Sequence, residues 1–117
     1  MNVIQQAKAA SSSLLTLEDS FRDEVLRAVA DAIEARSAEL LAANALDLSR
    51  MDPSNPLYDL LALTEERLKG IAGDMRNVAS LPSPLGLELE NRVLPNGLRL
   101  RKVSVPFGVV GVVYEAR

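Results

Sequence analysis

The stretch best suited to chemistry is Val103-Ser-Val-Pro-Phe-Gly-Val-Val-Gly-Val-Val-Tyr-Glu-Ala-Arg117. Val109, Val110, Val112 and Val113 are β-branched, and the run is apolar on both faces. That is the pattern of a central parallel strand covered on both sides. Gly108 and Gly111 interrupt it, and a glycine in a strand often marks a close approach by another backbone or a ligand. At Tyr114-Glu-Ala-Arg117 the run turns polar. In open α/β sheets ligands bind just outside the carboxyl ends of the strands, so a functional loop is expected to begin there. The plainer alternative is a buried strand with a frayed end, since short apolar runs are ambiguous even between strand and helix.

The rest of the composition removes chemistry. The 117 residues include no Cys and no His. Disulfides, thiolate metal sites and a cysteine nucleophile are excluded within the chain. The commonest general base and metal ligand is missing as well, so no catalytic residue and no metal ligand is assigned. Net charge is −3 with a pI near 4.9, and no basic patch is interleaved with aromatics, so nucleic acid is not an expected partner. The start Met1-Asn-Val-Ile lacks the features of a signal peptide. No segment approaches the apolar length of a membrane span. A cytoplasmic protein with no membrane partner is expected. Aromatic residues are 3% with no Trp, so the core must be built from Leu, Val, Ile and Ala.

Helical pieces precede the run. Val3, Ile4, Ala7, Ala10 and Leu14 fall at helical spacing over 2–15, with Asn2 as cap. Thr16 is the expected cap of a second helix over 17–36. Its apolar stripe is Phe21, Val25, Ala28, Val29, Ala32 and Ile33. Ser37 restarts or continues it, with Leu40, Leu41, Ala45 and Leu48 on one stripe and Asn44 between them. Met51-Asp-Pro-Ser-Asn-Pro56 is a loop, and Leu57–Leu63 a short helical turn. Thr64 caps a further helix whose buried face is Leu68, Ile71, Ala72, Met75 and Ala79, with Val78 at its edge. Gly70 and Gly73 each cost such a helix up to about 1 kcal/mol, which suggests close packing on a neighbour, or simply a weak helix.

The period then changes to two. Leu87 and Leu89 alternate with Glu88 and Glu90; Leu98 and Leu100 alternate with Arg99 and Arg101. Pro95-Asn96 suits a type I turn and Gly97 the left-handed residue after it. The arms are oppositely charged, which favours their pairing modestly. A leucine-faced hairpin is marginal alone and needs a cover.

Ala43-Asn-Ala-Leu-Asp47, Leu63-Thr-Glu-Glu-Arg-Leu-Lys-Gly-Ile-Ala72, Leu94-Pro-Asn-Gly-Leu-Arg99 and Val105-Pro-Phe-Gly-Val-Val-Gly-Val-Val-Tyr-Glu-Ala-Arg117 together carry a resemblance. The chain resembles the N-terminal part of the γ-glutamyl phosphate reductases, the glutamate-5-semialdehyde dehydrogenases of proline biosynthesis in the aldehyde dehydrogenase superfamily. Pro-x-Gly-Val-x-Gly-Val is shared across that superfamily, and Tyr-Glu-Ala-Arg is typical of this reductase. One departure is that Asp59 is followed by Leu60, where members often have Asp-Arg, so a local salt bridge is expected to differ.

The resemblance implies an α/β fold: N-terminal helices, a β-hairpin and the first strand of a Rossmann-like, aldehyde dehydrogenase-like cofactor domain, truncated. Residues 1–84 would be the helical part of the cofactor-binding domain. Residues 85–105 would be an oligomerisation hairpin, joining a homo-oligomer. Residues 106–117 would be the first buried strand of the cofactor sheet and the start of an active-site loop. By the same resemblance Tyr114, Glu115 and Ala116 lie by the cofactor, NADPH. Arg117 lies by the substrate, its fork suiting a carboxylate or a phosphate. The implied reaction converts L-glutamyl 5-phosphate to L-glutamate 5-semialdehyde and phosphate. A cysteine thiolate attacks the acyl phosphate, phosphate leaves, and hydride from NADPH reduces the thioester. In the family that cysteine lies further along than the residues matched here. The competing reading is a non-catalytic helical and hairpin interaction module, or a truncated gene product.

With no Cys or His, the isolated 117-residue chain is expected to show no reductase activity. NADPH oxidation in the presence of glutamyl phosphate, above a heat-killed control, would refute this.

Overall fold

Asn2 starts the first helix with a reciprocal cap. Its side-chain oxygen accepts from the Gln5 N–H at 2.9 Å, and Gln5 Oε1 accepts from the Asn2 N–H at 3.0 Å. Two donors otherwise left without a partner are satisfied together. The computed structural model describes residues 2–114. In order these form α1 (Val3–Leu14), α2 (Asp19–Ala35), α3 (Ser37–Leu48), α4 (Tyr58–Leu61), α5 (Glu65–Ala79), β1 (Glu88–Val93) and β2 (Arg99–Val103). They divide into two compact units. Of the described residues, one holds 2–17 with Pro82–Gly111; the other holds Glu18–Leu81 with 112–114.

In the helical unit α2 packs chiefly on α5. The buried apolar residues are Ala30 of α2 and Leu68, Ala72 and Ala79 of α5. Three of the four are alanines, whose small side chains let the two backbones approach. The stripe expected on α2 is not its buried face: Phe21, Val25 and Val29 are exposed. Leu26, Ala30 and Ile33 are the covered positions. Apolar residues spread around more than one side of α2, so periodicity alone does not choose the face that meets α5. On α5, Leu68, Ala72 and Ala79 are buried as expected and Met75 is partly covered, while Ile71 is exposed. The close neighbour expected at Gly70 and Gly73 is absent among the described residues, since a Cβ added at either would meet nothing within 4 Å. Here the two glycines only weaken the helix.

Polar side chains add directed contacts to this core. Arg76 of α5 forks onto Glu34 of α2, with Nη1 to Oε1 at 3.1 Å and Nη2 to Oε2 at 2.7 Å, and reaches Asp31 at 2.7 Å. Such bidentate pairs add directional specificity. Asn44, 8% exposed, is the buried polar residue of this unit. Its Nδ2 donates to the Leu61 carbonyl at 2.9 Å, and its Oδ1 accepts from the Leu63 N–H at 2.8 Å. One side chain thus satisfies both backbone groups where α4 ends, and each such bond is worth roughly 1 kcal/mol. Arg67 donates to the Asp59 and Ala62 carbonyls and pairs with the Asp59 carboxylate at 3.2 Å. That is the salt bridge Asp59 makes in the absence of a following arginine. Thr64 caps α5 by accepting from the Arg67 N–H at 3.1 Å.

Thr16 does not cap α2. Its hydroxyl donates back to the Ser13 carbonyl at 2.9 Å and finishes α1 instead, and α2 begins after Glu18 with no side-chain cap. The short linker lets the last turn of α1 claim the hydroxyl first.

In the other unit β1 and β2 pair antiparallel. Gly97 has φ +85°, its N–H donates to the Leu94 carbonyl at 2.8 Å, and the Leu94 N–H donates to the Leu98 carbonyl at 2.7 Å. This is the expected three-residue turn with its left-handed glycine. The register set by this turn alters the expected leucine face, because it puts Leu100 opposite Arg92 instead of a leucine, and a bulge lies further out, between Glu88 and Glu90. The extra residue at Leu89 also brings Glu88 to Arg101, at 2.7 Å, and to Asn91, at 2.9 Å. The expected cross-strand charge pairing is formed there. All residues of both strands are exposed.

Hydrogen bonds from Arg76 hold the Glu34 carboxyl below its ordinary range. A carboxylate with a depressed native pKa stabilises above its unfolded value, and that stability is lost as pH falls through the native one. The helical unit is therefore expected to weaken as pH drops below about 4.5, the ordinary Glu value. In Arg76→Gln the slope of stability against pH in that window should be shallower. Urea midpoints followed by circular dichroism at several acidic pH values test this; parallel slopes would remove the Arg76–Glu34 coupling from the account.

Candidate functional site

The expected site begins where β2 ends. Ser104 closes the base of the hairpin. Its hydroxyl donates to the Pro84 carbonyl and accepts from the Leu87 N–H, the latter at 2.9 Å. Its N–H donates to the Leu87 carbonyl at 2.9 Å, and its carbonyl accepts from the Gly86 N–H at 3.1 Å. Gly86 has φ +70°, a conformation that favours glycine.

The buried strand expected over 106–117 is not formed within its described part, residues 106–114, which have no strand hydrogen bonding. Val110, Val112 and Tyr114 are exposed, and Val113 fully so. The physical reason is the absence of neighbours. A central parallel strand needs a ladder on each side and apolar cover on each face. Among the described residues no strand flanks this one.

Gly108 takes φ +92°, which a side chain rarely adopts, and an added Cβ would meet nothing within 4 Å. Among the described residues nothing approaches it closely, and its positive φ is what favours glycine here. Gly111 likewise has open space around it. Within this unit the Gly108–Gly111 stretch borders α1 across a groove of about 640 Å³. Val3, Ile4 and Ala7 line one side, Val109 and Val110 the other, and Lys8 is at the rim. The groove is apolar and open, and nothing in it resembles a set of reacting groups.

Of the residues expected at the site, Tyr114 is described and exposed. Glu115, Ala116 and Arg117 lie outside the described residues. No group of three or more His, Cys, Asp or Glu suited to a metal is found among the described residues. No helix there is long and apolar enough to cross a membrane. The perturbed carboxyls serve structure. Glu88 is held low by hydrogen bonds from Asn91 first and Arg101 second, and Asp52 by the Ser54 N–H. Sequence reasoning missed the roles of Ser104 and Asn44. Asn44 did leave a signal, a polar residue set inside an apolar stripe; a serine at a strand end leaves none.

The fold has a counterpart among solved structures. A crystal structure of γ-glutamyl phosphate reductase from Thermotoga maritima matches with a TM-score of 0.76, covering 85% of this chain and 25% of that one. At 24% identity the likeness is one of fold. Sequence carries the comparison further. The chain is 59% identical over 110 residues to the γ-glutamyl phosphate reductase of Bacteroides thetaiotaomicron, covering 94% of this chain and 26% of that one. It is 56% identical over 114 residues to that of Chlorobium phaeovibrioides, covering 97% and 27%. No family model matches. The resemblance to γ-glutamyl phosphate reductases thus holds across nearly the whole chain, and the chain spans about a quarter of the length of these relatives.

Proposed function

We propose that this chain is the N-terminal part of a γ-glutamyl phosphate reductase, an oxidoreductase of proline biosynthesis. The whole enzyme reduces L-glutamyl 5-phosphate to L-glutamate 5-semialdehyde and phosphate. The observation that carries this is identity of 59% extending over 94% of the chain. NADPH, when bound, supplies the hydride. The nucleophilic cysteine belongs to a part of the enzyme outside these 117 residues, which contain none.

On this reading the valine run takes its place as the first strand of a Rossmann-like sheet once other strands flank it. Its apolar character on both faces supports that placement. Tyr114, Glu115 and Ala116 then stand beside the cofactor, at the carboxyl end of the strand where α/β sheets bind ligands. Tyr114, exposed in the structure, is compatible with such a contact. Arg117 pairs with a carboxylate or phosphate of the substrate. In the full-length enzyme Arg117→Ala should raise the substrate KM or lower kcat at least several-fold. Steady-state kinetics with glutamyl phosphate check this, and unchanged constants would take Arg117 out of the site.

The hairpin of residues 85–105 is the oligomer contact in this proposal. Leu87, Leu89, Leu98 and Leu100 are exposed, and open strand edges invite pairing with another chain. The isolated chain should therefore self-associate, and Leu98→Ser with Leu100→Ser should reduce that. Mass by light scattering decides: clean monomers for both parent and variant would mean that the hairpin is no association surface.

A further inference from the structure

We propose that Ser104 is a positioning residue: it locks the base of the hairpin so that the run from Pro106 leaves in one direction. This rests on the proposed reductase function, in which that run leads to the cofactor. The strand ladder ends at Glu88 and Val103, next to the bulge. The open end of a hairpin is where fraying starts. Here it is closed by one residue with four hydrogen bonds, two through the backbone and two through the hydroxyl. A hydroxyl is suited to this because it donates and accepts at once. The partners lie close together on the other arm: the Pro84 carbonyl, the Gly86 N–H, and both backbone groups of Leu87.

The segment after Ser104 is stiff. Val105 precedes a proline and is confined to extended backbone. Pro106 has its φ fixed by its ring. An anchored residue, a restricted residue and a locked residue in succession fix the direction in which the chain departs. The first freely turning glycine is Gly108, at φ +92°. Tyr114 lies ten residues beyond Ser104 along the chain, and on the proposed reading the strand that leads to it starts from this anchor.

The test has two arms, with Ser104→Ala removing the hydroxyl and Ser104→Thr retaining it. In this chain the Leu87 amide, bonded to the hydroxyl, should exchange with solvent about tenfold faster in Ser104→Ala. Amides inside the β1–β2 ladder should stay unchanged, and Ser104→Thr should restore protection at Leu87. In a full-length reductase carrying this segment, Ser104→Ala should raise the KM for NADPH several-fold with kcat changed less, and Ser104→Thr should recover it. If Leu87 exchanges no faster in Ser104→Ala, there is no clasp and the proposal falls. If Leu87 exchanges faster while the NADPH constants stay the same, Ser104 fastens the hairpin without positioning the run, and the proposal falls too. If the unsubstituted enzyme fails to oxidise NADPH with glutamyl phosphate, the functional reading fails and the positioning role with it. The exchange arm separates that failure from loss of the clasp.

Discussion

The helical unit depends on the close approach of α2 to α5 at Ala30 and Ala72, both fully buried. Dispersion contacts strengthen as surfaces close, but alanines bring little apolar area of their own. Hydrophobic burial grows with area, and a fully buried leucine contributes about 1.5–3 kcal/mol. Leu68 is the large residue buried here. Directed polar contacts supplement this small core, the part-buried ones more than the exposed ion pairs. Arg76 ties α5 to α2, Asn44 ties α3 to the end of α4, and Arg67 ties α4 to α5. Each of these joins positions separated in sequence, and each satisfies groups that would otherwise need water.

The other unit meets the same shortage of core differently. Its hairpin has no buried residue in either strand, and two strands alone are marginal in water. It is held at one end by the Gly97 turn and at the other by Ser104, with the Glu88–Arg101 pair between the arms. Exposed ion pairs of this kind contribute little. The two ends therefore matter most, and the register set by the turn pairs Leu100 with Arg92, so the arms are no plain leucine ladder.

The parts of this fold legible in the sequence were the local ones. Asn2, Thr64 and Gly97 each act within four residues of where they stand, so their chemistry could be read directly. Thr16 is equally local but stands between two helices that both want its hydroxyl, and the sequence does not rank them. The buried face of α2 is set by its meeting with α5, more than thirty residues away. An apolar stripe says that some face is buried, without saying which of two. Gly70 and Gly73 were read as signs of a neighbour, and none of the described residues fills that place. Of the candidate site, the place in the chain was legible through the motif, but its geometry was not. Three of its four residues lie outside the described residues.

The valine run joins these two kinds of failure. Its apolarity on both faces predicted burial, and its described part is exposed. The two facts are compatible because a central strand is not a local object. Its backbone N–H and C=O groups need partners on two other strands, and its side chains need cover on two sides. Helix and hairpin close their hydrogen bonds from within, so they form here. The run cannot, and its Gly108–Gly111 part borders α1 across an open groove instead. A sequence written for two-sided burial, in a chain spanning about a quarter of the relatives it matches, is what the proposed reductase would require, with the strand's partners supplied by the rest of that enzyme.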